Sequence, residues 1–532
     1  MKTVLTAFNA RYSHSSLAVR YIKEYNREKD IEIAEFSIND NIYRAYSVLL
    51  DKKADIYCFS VYIWNIEITA KVAQMLKKAV PEVIIVMGGP ECSYYPEKIL
   101  EKYPFTDYVV MGEGELAVGK LIDALENGTE IKINGVADRK YNGGFAEPVS
   151  LESVRFPYTD LSLKKLENRI IYFETSRGCP FGCSYCLSSA EKGIRYFPDE
   201  YVKNGFDVFF KNRVPLVKLI DRTFNANPQR AEKIIKYIIK NSVCTKVHLE
   251  IDPSILTDSL IETLSGAPEN LFQLEMGIQS ANPKTLKAVN RRECLEKAEK
   301  NIRKLKSAEN MHIHLDLIAG LPYEDYKSFE NSFNYVYNLE PDMLQLGFLK
   351  VLHGTSIENR TDIVHADFPP YEVICTKWMS PEEICRLKLI DIAVDGVYNS
   401  GAFLRTVKKT AVRNPFKTYE KISEIFSEEK SISRFDLYGK LYEIFGDTVK
   451  KELSLDFMQF CQNRAMPEFA DINYPQGFKK KCTSMLKSDE FCRKFNVNSV
   501  KNLRFEPIGD EIYMMDYSSG ILHDITKYYH NA

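Results

Sequence analysis

Residues 170–186 read IIYFETSRGCPFGCSYC, from Ile170 to Cys186. Ile170 to Thr175 is short, apolar, β-branched and aromatic, the pattern of a buried strand. Cys179, Cys183 and Cys186 follow directly in the next loop with C-x3-C-x2-C spacing. Three thiolates this close together can ligate three irons of one cubane cluster and leave the fourth iron open to another ligand, and such clusters are held by Cys thiolates. Structural zinc needs four ligands, usually as two C-x2-C pairs, and the next histidine is as far away as His248. A redox C-x-x-C at Cys183 and Cys186 leaves Cys179 without a part. The spacing therefore favours an iron–sulfur cluster.

C-terminal to this loop, strand candidates end near Thr175, Ile220, Ile251, Ile278, Ile318 and Leu349. Helical patterns separate them at 200–211, 229–240, 258–264, 283–289, 295–305 and 326–339. The alternation predicts a central partial (β/α)6 barrel over 169–360, in which chemistry sits at the C-terminal strand ends. N-terminal to it, Val4–Phe8, Ile31–Phe36, Ile56–Tyr62, Val83–Met87 and Tyr108–Val110 alternate with helical patterns such as Leu17–Tyr25 and Ile66–Leu76. This predicts a doubly wound, Rossmann-like α/β domain over 1–130 whose ligand lies beyond the carboxyl ends of the strands. Gly88-Gly89 and Gly112-Glu113-Gly114-Glu115 fall at those ends. Residues 131–168, with Asn142-Gly143-Gly144, read as a linker. From 361 to 532 the pattern turns mostly helical, opening with the capping box Ser380-Pro381-Glu382-Glu383. Met514–Leu522 reads as a closing hairpin.

The chain has 532 residues, 71 Lys+Arg against 73 Asp+Glu, 45% hydrophobic and 27% charged residues. Those values allow several buried cores and exclude disorder and disulfide scaffolds. The net charge of −2 shows no basic excess, so no nucleic-acid partner is evident. No apolar run approaches the roughly 18 residues of a membrane helix, and the apolar start of MKTVLTAFNARYSH is too short for a signal peptide. The expected location is cytoplasmic. Nine of the twelve cysteines are scattered singly, which suits a reducing compartment.

The triplet, with Tyr185 before its last cysteine, resembles the radical S-adenosylmethionine (SAM) enzymes. Leu249–Pro253, Glu275–Ser280, Asn290-Arg291 and Asp316–Pro322 resemble, in order and spacing, the strand-end motifs of their coproporphyrinogen-oxidase-like and methylthiotransferase-like branches. The resemblance implies a [4Fe-4S] cluster on Cys179, Cys183 and Cys186, with SAM chelating the open iron. It places Glu250, Gln279, Arg291 and Asp316 at SAM, where a carboxylate can accept from ribose hydroxyls and a guanidinium can pair with a carboxylate as a fork. The Gly-Gly-Glu usual after the second strand is replaced by Ile220–Asn225, leaving Asp221 as a candidate for the SAM amino group.

Residues 1–125 resemble the cobalamin (B12)-binding domain that precedes many such barrels, carried by Ser60–Asn65, Met87–Glu91 and Met111–Glu115. On that resemblance Ser60, Asn65, Gly88, Gly89, Gly112 and Gly114 are cobalamin candidates. Asp-x-His-x-x-Gly is absent, and His14 stands in Tyr12-Ser13-His14-Ser15, so cobalamin without a histidine lower axial ligand is expected. The implied activity is methylation of an unactivated carbon through a 5′-deoxyadenosyl radical and methylcobalamin. A non-methylating radical rearrangement, cyclisation or reduction and a cobalamin or redox sensor are the alternatives. Catalysis would rest on the cofactors, with an electron donor such as flavodoxin or ferredoxin. The C-terminal residues resemble an uncharacterised accessory domain. Near the barrel exit, Phe348, Tyr371 and Trp378 are candidate pocket residues, and Lys350 and His353 candidate substrate contacts.

Overall fold

Thr3–Asn9 (β1) is buried along its whole length, as a central parallel strand covered on both faces must be. It pairs in parallel with β2 (Ile31–Ser37) and β3 (Ile56–Ser60). β4 (Ile84–Gly88) and β5 (Tyr108–Val110) extend the sheet, and β6 (Val136–Ala137) closes it antiparallel to β5, in the order β2-β1-β3-β4-β5-β6. Alternate residues feed two cores: Val4, Phe8, Tyr57 and Met87 on one face, Leu5, Ala7, Cys58 and Val86 on the other. Strand order reverses between β1 and β3, so the loops after them flank the crevice where doubly wound sheets take ligands. β6 lies within the stretch that reads as a linker.

The structure, a computed structural model, describes all residues except 190–192, 429–431, 498–499 and 532. Two compact units emerge: 1–325 with 347–379, and 326–346 with 380–532. The first unit holds the sheet just described and the strand ends of a second one. That second sheet begins with β7 (Ile171–Phe173), followed by a hairpin of β8 (Ser176–Cys179) and β9 (Gly193–Tyr196) that the sequence reads as loop. β10 (Leu216–Leu219), β11 (Lys246–Glu250), β12 (Phe272–Gln279) and β13 (His312–Ala319) continue it in the order β7-β10-β11-β12-β13, and β14 spans Met343–Phe348. The expected strand ends fall within two residues of those observed.

On β11 to β13 one face is apolar and fully buried, with Val247, Leu249, Leu274, Met276, Ile313 and Leu315. The alternate positions are His248, Glu250, Glu275, Gly277, His314 and Asp316. A barrel of this type is ordinarily filled by branched apolar side chains, so this polar face marks the site. A hairpin of β15 (Ile363–His365) and β16 (Val373–Thr376) also belongs to the first unit: Val373 N donates to Leu349 O at 2.8 Å, and the tilted rings of Trp378 and Tyr323 are 4.5 Å apart. The first compact unit therefore runs to Met379.

In the second unit, helix Tyr326–Tyr337 packs on helix Pro415–Glu428 through Phe333 and Phe416, whose rings are 5.5 Å apart. Ser380 and Glu383 form the expected capping box. Helices dominate. A three-stranded antiparallel sheet, β17 (Leu503–Ile508), β18 (Glu511–Asp516) and β19 (Ile521–Asp524), adds one strand to the hairpin that the sequence shows.

Candidate functional site

The three thiols sit where β8 ends and the chain turns back over the strand ends. Cys179 closes β8, and its Sγ lies 3.5 Å from Thr223 Oγ1. The turn is tied internally: Cys186 N donates to Cys183 O at 3.1 Å, and Ser189 Oγ donates to Cys183 O and Cys186 O at 2.8 and 2.6 Å. It is also tied to the segment after β12, by Ser184 N to Val289 O at 2.9 Å and Asn290 Nδ2 to Gly182 O at 2.8 Å. Among the described residues no three His, Cys, Asp or Glu side chains are grouped as ligands of a single metal ion. The thiols instead share the wall of one pocket of about 230 Å³. Burial pushes the Cys183 thiol up, and the Arg291 guanidinium opposes that.

Glu250, Gln279, Arg291 and Asp316 line the same pocket. Three strands and one loop, far apart in sequence, thus converge on the cysteines. Register explains part of it: Gly277 pairs with Asp316, and a bulge between Gly277 and Gln279 re-aims the latter. Gln279 has φ +67°, and its buried Oε1 has no hydrogen-bond partner within the protein. A buried acceptor left open in a pocket suits a ligand rich in donors. Arg291 is held in place. Its Nε donates to Glu293 Oε2 at 2.7 Å, Nη1 reaches Tyr185 OH at 3.5 Å, and Nη2 donates to Gly277 O. Burial raises Glu293 to about 7 even against Arg291.

Burial and the neighbouring Glu275 carboxylate raise Glu250 to about 7. Glu275 goes the other way: burial opposes ionisation, but His248 and Lys218 hold it at about 2. His248 Nε2 and Lys218 Nζ each lie 3.1 Å from Glu275 Oε2. His314 Nε2 lies 3.1 Å from Asp316 Oδ1, which raises the imidazole although burial works against it. Lys218, His248, Glu293 and His314 escaped the sequence reading. For three of them the signal was present, as polar residues at alternate positions of otherwise apolar strands.

Asp221 does not reach the pocket. It is 1% exposed and accepts from Thr175 N, Thr175 Oγ1 and Ser176 Oγ at 2.8, 2.6 and 2.6 Å. The carboxylate brackets the turn between β7 and β8, and Arg222 and Thr223 line the pocket in its place. Phe348, Lys350, His353, Tyr371 and Trp378 also stand outside the pocket lining. His353 Nδ1 pairs with Glu358 Oε1 at 2.8 Å, and Tyr371 OH donates to Glu91.

In the N-terminal sheet, Ser60 ends β3 and Gly88 ends β4. Asn65 is 1% exposed and turned inward, its Oδ1 accepting from Tyr62 N at 2.8 Å and its Nδ2 donating to Phe8 O and Ser60 O at 3.0 Å. It staples the loop. A side chain at Gly89 would meet Val61 O, one at Gly114 would meet Ile22, and one at Gly112 would approach Phe145 and Ala146. These residues shape the rim from within. Trp64 is 46% exposed and stacked on Tyr62 at 4.3 Å with a 9° tilt. His14 stands against Tyr172 with ring centres 6.0 Å apart, and burial lowers its pKa.

Comparison with known proteins gives three family matches. The B12 binding domain matches residues 3–122, the Radical SAM superfamily residues 173–336, and a protein of unknown function (DUF4080) residues 360–517. The cobalamin-dependent radical SAM methyltransferase TokK of Streptomyces tokunonensis is 26% identical over 52% of this chain and 44% of its own length. The anaerobic magnesium-protoporphyrin IX monomethyl ester cyclase of Rubrivivax gelatinosus is 22% identical over 72% of both chains. The solved structure of the cobalamin-dependent S-adenosylmethionine radical enzyme OxsB with aqua-cobalamin shares the fold, with TM-score 0.61, 17% identity, and coverage of 94% of this chain and 81% of that one. The chain spans about half the length of the curated relatives first matched, 44% to 64%. Among the described residues no helix is long and apolar enough to cross a membrane.

Proposed function

This chain belongs to the radical SAM superfamily over its barrel and carries a B12-type domain before it, and from that premise we propose that it is a cobalamin-dependent radical SAM methyltransferase acting on an unactivated carbon. The observation that carries the reading is the convergence of Cys179, Cys183, Cys186, Glu250, Gln279, Arg291 and Asp316 on one pocket. When bound, a [4Fe-4S] cluster, SAM and cobalamin supply one-electron sulfonium cleavage and a transferable methyl group.

The protein's part is to hold and to shield. Cys179, Cys183 and Cys186 would hold the cluster, and the hydrogen bonds of Ser189 and Asn290 keep their turn in shape. Glu250 and Asp316 would accept from hydroxyls, and Gln279 Oε1 would accept from a donor. Arg291, steadied by Glu293, would pair with a carboxylate while keeping its hold on Tyr185. Cobalamin would lie on the rim formed by Ser60–Asn65, Gly88-Gly89 and the loop at Gly112, with Asn65, Gly89 and Gly114 setting the rim's shape. A low-potential donor such as flavodoxin or ferredoxin, in the cytoplasm, would supply the electron.

The cyclase relative covers more of this chain than the methyltransferases do, which supports a second reading, ring closure by the same cofactors. Anaerobic turnover of the reconstituted protein with SAM and dithionite tests both. Methyl transfer predicts 5′-deoxyadenosine together with S-adenosylhomocysteine. Cyclisation predicts 5′-deoxyadenosine alone, and absence of both products overturns the enzyme reading.

A further inference from the structure

The Gly112-Glu113-Gly114-Glu115 loop has a second partner, and it is not a cofactor. In the hairpin leading to Cys179, Arg177 stands opposite Arg195. Arg177 sends each guanidinium nitrogen to a different carboxylate: Nε to Glu174 Oε1 at 2.8 Å, Nη2 to Glu115 Oε1 at 2.6 Å, and Nη1 to Glu113 Oε2 at 3.2 Å. Arg195 pairs with the other oxygen of Glu113 and donates to Val149 O at 2.9 Å, while Val149 N donates to Glu113 Oε2 at 2.8 Å. The guanidinium of Arg177 also lies over Tyr21 of the first domain at 5.2 Å and Phe197 of the hairpin at 5.8 Å.

The side chains of Arg177, Glu113, Glu115 and Glu174 are only 5–13% exposed. An exposed ion pair of this kind contributes little. A buried one is different, because removing one partner strands the other charge away from water. Glu174 feels this already: burial, Asp221 and Glu115 raise it to about 7 in spite of Arg177. Two acidic residues of the first domain, two arginines of the barrel and the connecting segment at Val149 are thus locked together two residues before the first thiol.

We propose that Glu113 and Glu115 with Arg177 and Arg195 form an interdomain latch that sets Cys179 relative to the B12-type domain, with Arg177 as its positioning residue. The acidic pair of this loop then serves docking rather than cofactor contact. The consequence for cofactor spacing rests on the function proposed above, whereas the latch itself does not.

Amide hydrogen exchange on the full chain tests the latch without any cofactor. Arg177→Gln is expected to speed exchange at both 112–115 and 193–196 by at least about tenfold, since a buried pair is broken, and Arg177→Lys to restore part of the protection. The Glu113→Gln/Glu115→Gln double variant breaks the latch from the other side, and decides the matter if Arg177→Gln does not fold. Unchanged exchange, or faster exchange on the hairpin alone, overturns the proposal. In protein reconstituted with iron, sulfide and cob(II)alamin, pulsed EPR reads the dipolar coupling between the reduced cluster and the cobalt. The latch predicts a broadened coupling in Arg177→Gln at unchanged cofactor content, partly rescued in Arg177→Lys, and an identical coupling refutes the positioning role. A parent protein that loads neither cofactor refutes the proposed function, and hydrogen exchange still decides the latch.

Discussion

Replacing Gly178 with alanine isolates the geometry of the first cluster ligand. Gly178 has φ +89°, and a Cβ there would lie 2.3 Å from Gly193 O across the hairpin. Gly193 has nearly the same φ, +90°, but a Cβ there would meet nothing within 4 Å. The two substitutions therefore share a backbone cost of about 1–3 kcal/mol for an unfavourable conformation. Only Gly178→Ala adds a collision with backbone: Gly193 O would have to retreat by about 0.7 Å, from 2.3 Å, to reach even 3.0 Å. That retreat disturbs the pairing of Cys179 with Gly193 and so displaces the first thiol. The assay is iron and sulfide per chain after anaerobic reconstitution, with thermal unfolding alongside. Gly193→Ala is expected to lower the melting temperature and keep its iron, and Gly178→Ala to melt lower still and lose most of it. Equal iron and equal melting in the two variants would refute the reasoning.

Three further outcomes follow from buried charges. Glu250 is raised to about 7 by burial and by Glu275, so the folded state binds its proton more tightly than the unfolded chain does. Stability is then lost as pH rises through that value, and in urea unfolding of the cofactor-free protein Glu250→Gln should lose less stability than the parent between about pH 5 and about pH 8. A steeper loss in the variant would contradict the burial argument. Asp456, in the second unit, has no exposed side-chain surface and accepts from Thr406 N, Thr406 Oγ1 and Arg405 Nη1 at 2.9, 2.8 and 3.0 Å. Asp456→Ala should cost about 3 kcal/mol in urea unfolding. Arg20 and Glu35 are each 8% exposed on their side chains and directly paired, so Arg20→Met, which leaves buried Glu35 only its bonds from Ser16 N and Asn9 Nδ2 and the more distant Arg169 at 4.0 Å, should cost about 3 kcal/mol, and a change under about 1 kcal/mol would show the pair to be solvated.

The sequence made the fold legible where periodicity is strong. β1, flanked by helix Leu17–Tyr25, and the barrel strands ending at Leu219, Glu250, Gln279 and Ala319 lie where apolar runs meet turn residues. The β8–β9 hairpin was not legible, because Arg177-Gly178-Cys179 and Gly193–Tyr196 carry no alternation and pair through two left-handed glycines. The cysteines and the four barrel residues are named from spacing and resemblance, and all of them line one pocket. Asp221 was misplaced because a strand-end carboxylate looks the same in sequence whether it faces a ligand or brackets a turn, and only Thr175 and Ser176 decide between the two. The glycine-rich rim adds a packing role that the sequence does not show. A glycine shows that something comes close, and at Gly89 and Gly114 that something is Val61 and Ile22. Arg177 escaped notice because its three partners lie 3, 62 and 64 positions away in sequence.

The central claim is that Cys179, Cys183 and Cys186 jointly hold one four-iron cluster in the pocket they share with Glu250 and Gln279. Anaerobic reconstitution of the full chain and of the three single Cys→Ala variants, read by iron and sulfide content and by the EPR spectrum of the reduced protein with and without SAM, tests it directly. About four irons and four sulfides per parent chain are expected, with a cluster signal that changes when SAM is added and is lost in each variant. Zinc in place of iron, or a variant that keeps the full cluster and its response to SAM, would contradict it.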